Sequence, residues 1–252
     1  MSNSLRILQI TDCHLPAGPD IPYRGINSHE SLNLLLECVH EFVKEFNPDL
    51  ILATGDLSED GSQGSYDWLK KYLDEFNLPV LALPGNHDEP ELLANNYLGS
   101  PVNNVEVTEH GDWQIIRLNT TLPGTPAGRI KDANLIELEQ ILSQDSNRQR
   151  LIALHHQPVP VGSPWIDKYR LQEPEGFLQL IDQCEGVKAV VWGHVHQDFV
   201  EDRSGISMMS GPSAARNGIP GMPNFVADDT GPACRWLELG GDGSVVTGII
   251  ST

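Results

Sequence analysis

Residues 5–14 read LRILQITDCH, and this short stretch decides the fold. Leu5–Thr11 is an apolar, partly β-branched run, the pattern of a strand buried on both faces. Asp12, Cys13 and His14 follow with no spacer. Four further strand-like runs end in the same way. Asp49–Thr54 runs into Gly55-Asp56, and Pro79–Leu83 into Gly85-Asn86-His87-Asp88. Leu151–Leu154 runs into His155-His156, and Val187–Val191 into Gly193-His194-Val195-His196. Oxygen and imidazole ligands therefore gather at the C-terminal ends of strands, where open α/β sheets place their sites.

Working outward, Pro16–Gly25 is a Pro/Gly-rich loop. Asn27-Ser28-His29-Glu30 predicts a capping box with Asn27 as the cap. Leu32, Leu35, Leu36, Val39, Phe42, Val43 and Phe46 keep helical spacing, and Pro48 ends the helix. A second amphipathic helix is predicted over about 62–76. The first part of the chain thus spells strand, helix, strand, helix, strand, a parallel βαβαβ unit.

Further on, Val105–Thr108 and Trp113–Asn119 predict a hairpin across the Glu109–Asp112 turn, and Asp132 is expected to cap a helix reaching about Leu142. The tail reads as short strands near Phe199–Asp202, Ile206–Met209, Arg235–Leu239 and Val245–Ile250. This β-rich part, about 197–252, is expected to complete a second sheet within one domain spanning 1–252.

The chain has 252 residues, 39% of them hydrophobic, and a formal net charge of −19. That charge repels nucleic-acid polymers and anionic membrane surfaces, so a small-molecule substrate is expected. The four cysteines form no CxxC pair and read as free thiols in a reducing compartment. The N-terminus enters a strand almost at once, with no signal peptide or apolar span in view. A cytoplasmic location is expected, and a monomer and a homodimer fit equally well.

Mixed nitrogen and oxygen ligation suits Mn, Fe, Co or Zn rather than Mg or Ca. Asp-x-His, Gly-Asp, Gly-Asn-His-Asp, a strand-end His and Gly-His-x-His, in that order, resemble the calcineurin-like metallophosphoesterases over essentially the whole chain. Within that superfamily the chain is most similar to the bacterial class III 3',5'-cyclic-nucleotide phosphodiesterases. Additional markers are Ile10–Leu15, Gly25–Ser28, Ala53–Leu57, Leu83–Asp88 and Cys234–Leu239.

The resemblance implies an α/β fold, a four-layer αββα sandwich of two mixed β-sheets flanked by helices. It also implies hydrolysis of 3',5'-cyclic AMP to 5'-AMP by a dimetal-bridged hydroxide, lowering a second messenger. Carried over by position, one metal takes Asp12, His14, Asp56 and His196; the other takes Asp56, Asn86, His155 and His194. The expected cofactors are two divalent ions, iron or manganese first, with zinc or cobalt as alternatives. The two ions and two aspartates leave a surplus of positive charge that suits one phosphodiester anion and one hydroxide. His87 is the expected general acid, with Glu59, Asp60 or Asp88 as its orienting carboxylate. His14, Asp56, Asn86, His87, His155 and His196 are the expected substrate-binding residues.

Several residues carry two readings. Adjacent residues at a strand end face opposite ways, so one of His155 and His156 is expected to be a ligand, and the resemblance favours His155. His29, His40 and His110 read as structural. Cys13 stands where relatives carry a small hydroxyl residue; it is expected to point away from the metals. Trp165 and Tyr169 read either as a nucleobase pocket or as ordinary surface aromatics. Arg216 reads as a solvated loop arginine, the alternative being a phosphate or base contact. Two rival functions remain: a phosphodiesterase or phosphatase of the same fold acting on another small phosphodiester or nucleotide, and a non-catalytic binding scaffold. The loops at 16–30, 160–172 and 210–228 would choose among substrates.

Overall fold

The computed structural model describes residues 4–144 and 147–252. Strand β1 (Leu5–Ile10), helix α1 (Ser28–Phe46), β2 (Leu50–Ala53), α2 (Gln63–Asp74) and β3 (Val80–Ala82) form the expected βαβαβ unit, followed by a short α3 (Pro90–Asn96). β1 pairs in parallel with β2, and β2 with β3. The Asn27 side chain accepts from the backbone N–H groups of His29 and Glu30, so it caps α1 as its position predicts. Asn47, left-handed at φ 49°, closes that helix just ahead of Pro48.

β4 (Val105–His110) and β5 (Trp113–Leu118) form the predicted antiparallel hairpin. After them come β6 (Gly128–Arg129), α4 (Asp132–Ser143), β7 (Gln149–Ala153), α5 (Pro164–Asp167), β8 (Leu171–Gln172), α6 (Glu175–Asp182) and β9 (Val187–Trp192). Lys131, not Asp132, takes the cap position of α4. Asp132 lies in the first turn, where its charge favours the positive end of the helix. Helices α3 and α6 were not read from the sequence, because each is too short to repeat an apolar stripe.

The tail departs from expectation. β10 (Phe199–Arg203) and β11 (Ile206–Ser210) extend one sheet through β9, but β12 (Ala233–Leu239) and β13 (Val245–Ser251) join the other. β12 pairs antiparallel with β1 along Leu5–Gln9. The result is a five-stranded sheet, β13-β12-β1-β2-β3, and a six-stranded sheet, β10-β11-β9-β7-β5-β4, with β6 and β8 as a small separate pair. Both large sheets mix parallel and antiparallel pairs.

The side-chain alternation of the strands builds three apolar cores. Leu5 and Ile7 of β1 and Leu50 and Leu52 of β2 face Trp113, Ile115, Leu151 and Val191 of the other sheet. Leu8, Ile10, Ile51 and Ala53 turn the opposite way and pack on α1 and α2. Ile116, Ile152 and Val190 do the same against α4 and α6. Helix, sheet, sheet, helix is the four-layer sandwich. Gln9, buried between the sheets, donates to Thr54 Oγ1 and to the Trp192 carbonyl, so it pins β1 to the end of β9. No helix among the described residues is long and apolar enough to cross a membrane.

Candidate metal centre and active-site pocket

The five ligand-bearing turns all emerge on one rim, and their backbones are unusual. Asp12, His14, Asp56, His194 and His196 have φ between 45° and 66°, a left-handed region that L-residues with side chains seldom occupy. Such conformations cost on the order of 1–3 kcal/mol each and persist where the surroundings dictate them. Two glycines make the crowding possible. A Cβ on Gly85 would strike Asp56, and one on Gly193 would strike Thr11 and Asp12. Glycine is therefore required there by close approach, not by turn propensity.

The aspartates are fixed by backbone donors. His194 N–H donates to both oxygens of Asp12 at 3.1 and 2.9 Å, and His87 N–H donates to Asp56 Oδ1 at 2.9 Å. Asp56 then divides its carboxylate between two groups. Its Oδ2 lies 3.8 Å from His14 Nε2, and its Oδ1 lies 3.4 Å from His155 Nε2. On the first side, His196 Nε2 is 3.2 Å from Asp12 Oδ1 and 3.1 Å from His14 Nε2.

The far nitrogens of these rings decide what the near ones carry. His14 Nδ1 donates to Glu59 Oε2 at 2.8 Å, His196 Nδ1 to the Arg216 carbonyl at 2.8 Å, and His155 Nδ1 to the Thr54 carbonyl at 2.8 Å. A neutral imidazole that donates from Nδ1 presents a bare lone pair at Nε2. Two lone pairs, those of His14 and His196, thus face each other at 3.1 Å, and that of His155 faces a carboxylate oxygen. Asn86 Oδ1 and the Nε2 atoms of His155, His156 and His194 are buried and have no hydrogen-bond partner. Buried acceptors without donors are costly, and here they converge. Cations resolve the arrangement, so the donor set fits divalent metals.

The electrostatics agree. Burial opposes ionisation of Asp56, yet the imidazoles of His155, His87 and His14 hold its carboxyl well below the usual range. Burial drives His14 and His194 well below the ordinary imidazole value. Burial also works against charge on His155, but Asp56 beside it reverses the balance and raises the ring to about 9. That corner attracts positive charge strongly.

Every ligand predicted from the sequence reaches this rim. His155 touches the shared Asp56. His156 crosses to the other side, its Nδ1 2.8 Å from Thr120 Oγ1, yet its Nε2 also comes close to the ligand atoms of His155 and His194. Cys13 packs in the helix-facing core with Leu8 and Ile10, and burial pushes its thiol well up, so it turns away from the ligands. His29 is enclosed by Tyr72 and Pro16, and His40 stacks on Phe76, both structural roles.

Glu59 is the carboxylate beside His87, with Oε2 3.2 Å from His87 Nδ1. Asp60 instead joins its own loop to the first one, accepting from the Ser62 and Ala17 N–H groups. Asp88 is likewise excluded from that role. It accepts from the Leu57, Ser58 and Gly85 N–H groups and from the Tyr66 hydroxyl, which locks two ligand turns together. Its burial, with Asp56 nearby, raises its carboxyl to about 6.

Above the ligands lies a pocket of about 390 Å³, with His14, Asp56, Asn86, His87, His194 and His196 on its floor. Its walls come from four segments: Arg24 from the first, Pro126 from the second, Trp165, Ile166, Lys168 and Tyr169 from the third, and Asn224 and Phe225 from the fourth. Trp165 and Tyr169 therefore face the site. Trp165 meets Phe225 edge-on at 5.1 Å. Tyr23, Arg24 and Phe225 carried no sequence signal, because only the folding of separate loops brings them to the ligands.

The sequence matches the calcineurin-like phosphoesterases over residues 5–198. The chain belongs to the calcineurin-like phosphoesterase family. Among its phosphoesterase relatives is the 3',5'-cyclic adenosine monophosphate phosphodiesterase CpdA of Pseudomonas aeruginosa, 32% identical over 98% of this chain and 89% of that protein. The CpdA of Escherichia coli is 36% identical over 96% and 88%. A 3',5'-cyclic-nucleotide phosphodiesterase of Nostoc is 34% identical over 97% and 91%. By structure, the chain resembles a dimetal phosphatase from Danio rerio, with a TM-score of 0.68 and 16% identity over 98% of both chains. It also resembles the anchor in the inner membrane complex of Plasmodium, with a TM-score of 0.65 and 14% identity over 99% of this chain and 89% of that one. Those two likenesses concern the fold alone. Membership of the family, with the Asp and His clusters, makes the chain a metal-dependent phosphoesterase.

Proposed function

We propose that this chain hydrolyses 3',5'-cyclic AMP to 5'-AMP. One observation carries the reading: a pocket sized for a mononucleotide lies over clustered Asp and His side chains, with the Asp56 carboxylate reaching His14 on one side and His155 on the other. Pockets for small ligands run from about 300 to 1,000 Å³, so this one suits a single nucleotide and not a polymer. The names of the curated relatives point to the same substrate. The chain acts as one catalytic unit spanning 1–252, in the cytoplasm, on a small molecule, and needs no polymeric partner.

Asp12, His14, Asp56 and His196 would hold one divalent ion, and Asp56, Asn86, His155 and His194 the other, with iron or manganese the first candidates. When bound, such a pair supplies electrostatic stabilisation of the phosphoryl transition state and a nucleophilic water at neutral pH. The protein's own groups do the rest. Asp12 and Asp56 are held by backbone N–H groups and cannot rotate away. His87 keeps Nδ1 on the Glu59 backbone carbonyl at 3.3 Å, with the Glu59 carboxylate 3.2 Å away, and its ring lines the pocket, where it protonates the departing ribose 3'-oxygen. Of the expected substrate-binding residues, His14, Asp56, Asn86, His87 and His196 line the pocket; His155 is fully buried and does not, and His194 takes a place on the lining instead. Trp165, Tyr169 and Phe225 offer flat apolar surface for the base.

The test is a hydrolysis panel on Mn²⁺-loaded protein, comparing kcat/KM for 3',5'-cyclic AMP, 2',3'-cyclic AMP, cyclic GMP and bis-p-nitrophenyl phosphate. A clear preference for 3',5'-cyclic AMP supports the reading. Fast turnover of the nitrophenyl ester with slow turnover of every cyclic nucleotide would transfer the site to another small phosphodiester.

A further inference from the structure

We propose that Arg24 is the anion-binding residue of this pocket, placed to donate from its guanidinium edge to the phosphoryl oxygens of the substrate and to free phosphate. The proposal rests on the phosphoesterase reading but not on the identity of the ester.

Four observations converge on Arg24. It lines the pocket with His14, His87 and His196. Its guanidinium carbon lies 5.3 Å from the centre of the Tyr23 ring and 5.3 Å from that of Phe225. Those rings in turn rest on the first ligand group. Tyr23 stacks flat on His14, with centroids 4.2 Å apart and planes 6° apart, and Phe225 meets His196 edge-on at 6.2 Å. The two rings that hold the arginine are therefore braced by two ligand histidines. A guanidinium engaged by aromatic rings through its faces keeps its N–H fork free at the edge.

The backbone of Arg24 is also set. Its φ of 44° is left-handed, and its carbonyl accepts from Arg216 Nη1 at 2.9 Å. Arg216 is thus no solvated loop arginine. It ties the 210–228 loop to the 16–30 loop, while its own carbonyl accepts from ligand His196. Arg216 is a positioning residue for Arg24.

Finally, Arg24 forms no ion pair among the described residues. The chain carries 35 acidic residues against 16 Lys and Arg, so an arginine at a pocket mouth that is tied up in no ion pair among the described residues stands out. Its charge bears on His14, Tyr23 and Glu59. The expected ligand is a tetrahedral oxyanion, whose paired oxygens match the fork.

The experiment uses Mn²⁺-loaded wild type, Arg24→Ala, Arg24→Lys, Arg216→Ala and the Arg24→Ala/Arg216→Ala double variant. It measures KM and kcat for bis-p-nitrophenyl phosphate and 3',5'-cyclic AMP, the inhibition constant of orthophosphate, and metal content. Arg24→Ala should raise KM and the orthophosphate constant by roughly 10- to 100-fold, the scale of a charge-assisted hydrogen-bond pair, with metal content unchanged. Arg24→Lys should recover part of the loss, because it restores charge but not the fork. Arg216→Ala should weaken phosphate binding, and the double variant should lose no more than Arg24→Ala alone. Orthophosphate and KM values within twofold of wild type in Arg24→Ala would overturn the proposal. A full extra loss in the double variant would overturn the positioning role of Arg216. If wild type spares 3',5'-cyclic AMP but cleaves the nitrophenyl ester, the substrate reading fails while the orthophosphate constants still judge Arg24.

Discussion

His14 and His87 share one carboxylate oxygen. Oε2 of Glu59 lies 2.8 Å from Nδ1 of His14 and 3.2 Å from Nδ1 of His87, and the two rings meet edge-on at 4.9 Å. Glu59 therefore fixes the tautomer of a proposed metal-ligating histidine with its carboxylate, and its backbone carbonyl also accepts from Nδ1 of the proposed proton donor at 3.3 Å. Partners of this kind typically alter metal affinity or activity 10- to 100-fold when removed. Glu59→Gln should lower kcat by about that factor and weaken metal retention against a chelator. Unchanged kcat together with unchanged metal retention would remove Glu59 from both roles.

His87→Ala separates proton donation from metal binding. The variant should keep its metals, because the His87 ring is no member of either proposed ligand set. Its kcat on 3',5'-cyclic AMP should fall by about 10²- to 10⁴-fold, since a ribose alkoxide needs a proton. A nitrophenolate leaves without one, so bis-p-nitrophenyl phosphate should lose far less. Equal losses on both substrates would argue against a general acid.

Metal stoichiometry tests the ligand sets directly. Asn86→Ala and His155→Ala should each leave one ion per chain instead of two, measured by elemental analysis of reconstituted protein. His156→Ala should retain both, because His155 and not His156 makes the ion-pair contact with the shared Asp56. Loss of an ion from His156→Ala with none from His155→Ala would reverse the assignment.

His29 supplies a pH dependence of stability away from the metals. Burial lowers its pKa below the ordinary value, partly offset by its contact with the Pro16 carbonyl. The unfolded chain protonates this ring near about 6.5. As pH falls below that point, the unfolded state takes up a proton that the folded state refuses, so stability declines until the folded pKa is passed. The urea midpoint of the chelator-treated protein should drop between pH 7 and pH 5.5. The drop should be smaller in His29→Gln; equal drops would show that His29 carries none of it.

The sequence by itself determined the βαβαβ start, the five ligand turns and the residue types at each. Those features are local: strand burial follows from the apolar runs, and a ligand turn follows each run directly. The destination of the last strands was not legible. β12 pairs with β1 across more than 220 residues of chain, and nothing in Ala233–Leu239 itself says which sheet edge it will meet. Likewise the choice of Glu59 over Asp60 and Asp88 depended on where three carboxylates point after the turns close. Asp88 spends its oxygens on backbone N–H groups, which only the folded turns bring near. Arg24, Tyr23, Trp165 and Phe225 come from three loops with no pattern in common. The tertiary structure alone decided that Arg24, Trp165 and Phe225 share a pocket and that Tyr23 stacks on His14 behind it, because side-chain convergence depends on long-range packing that no local period encodes.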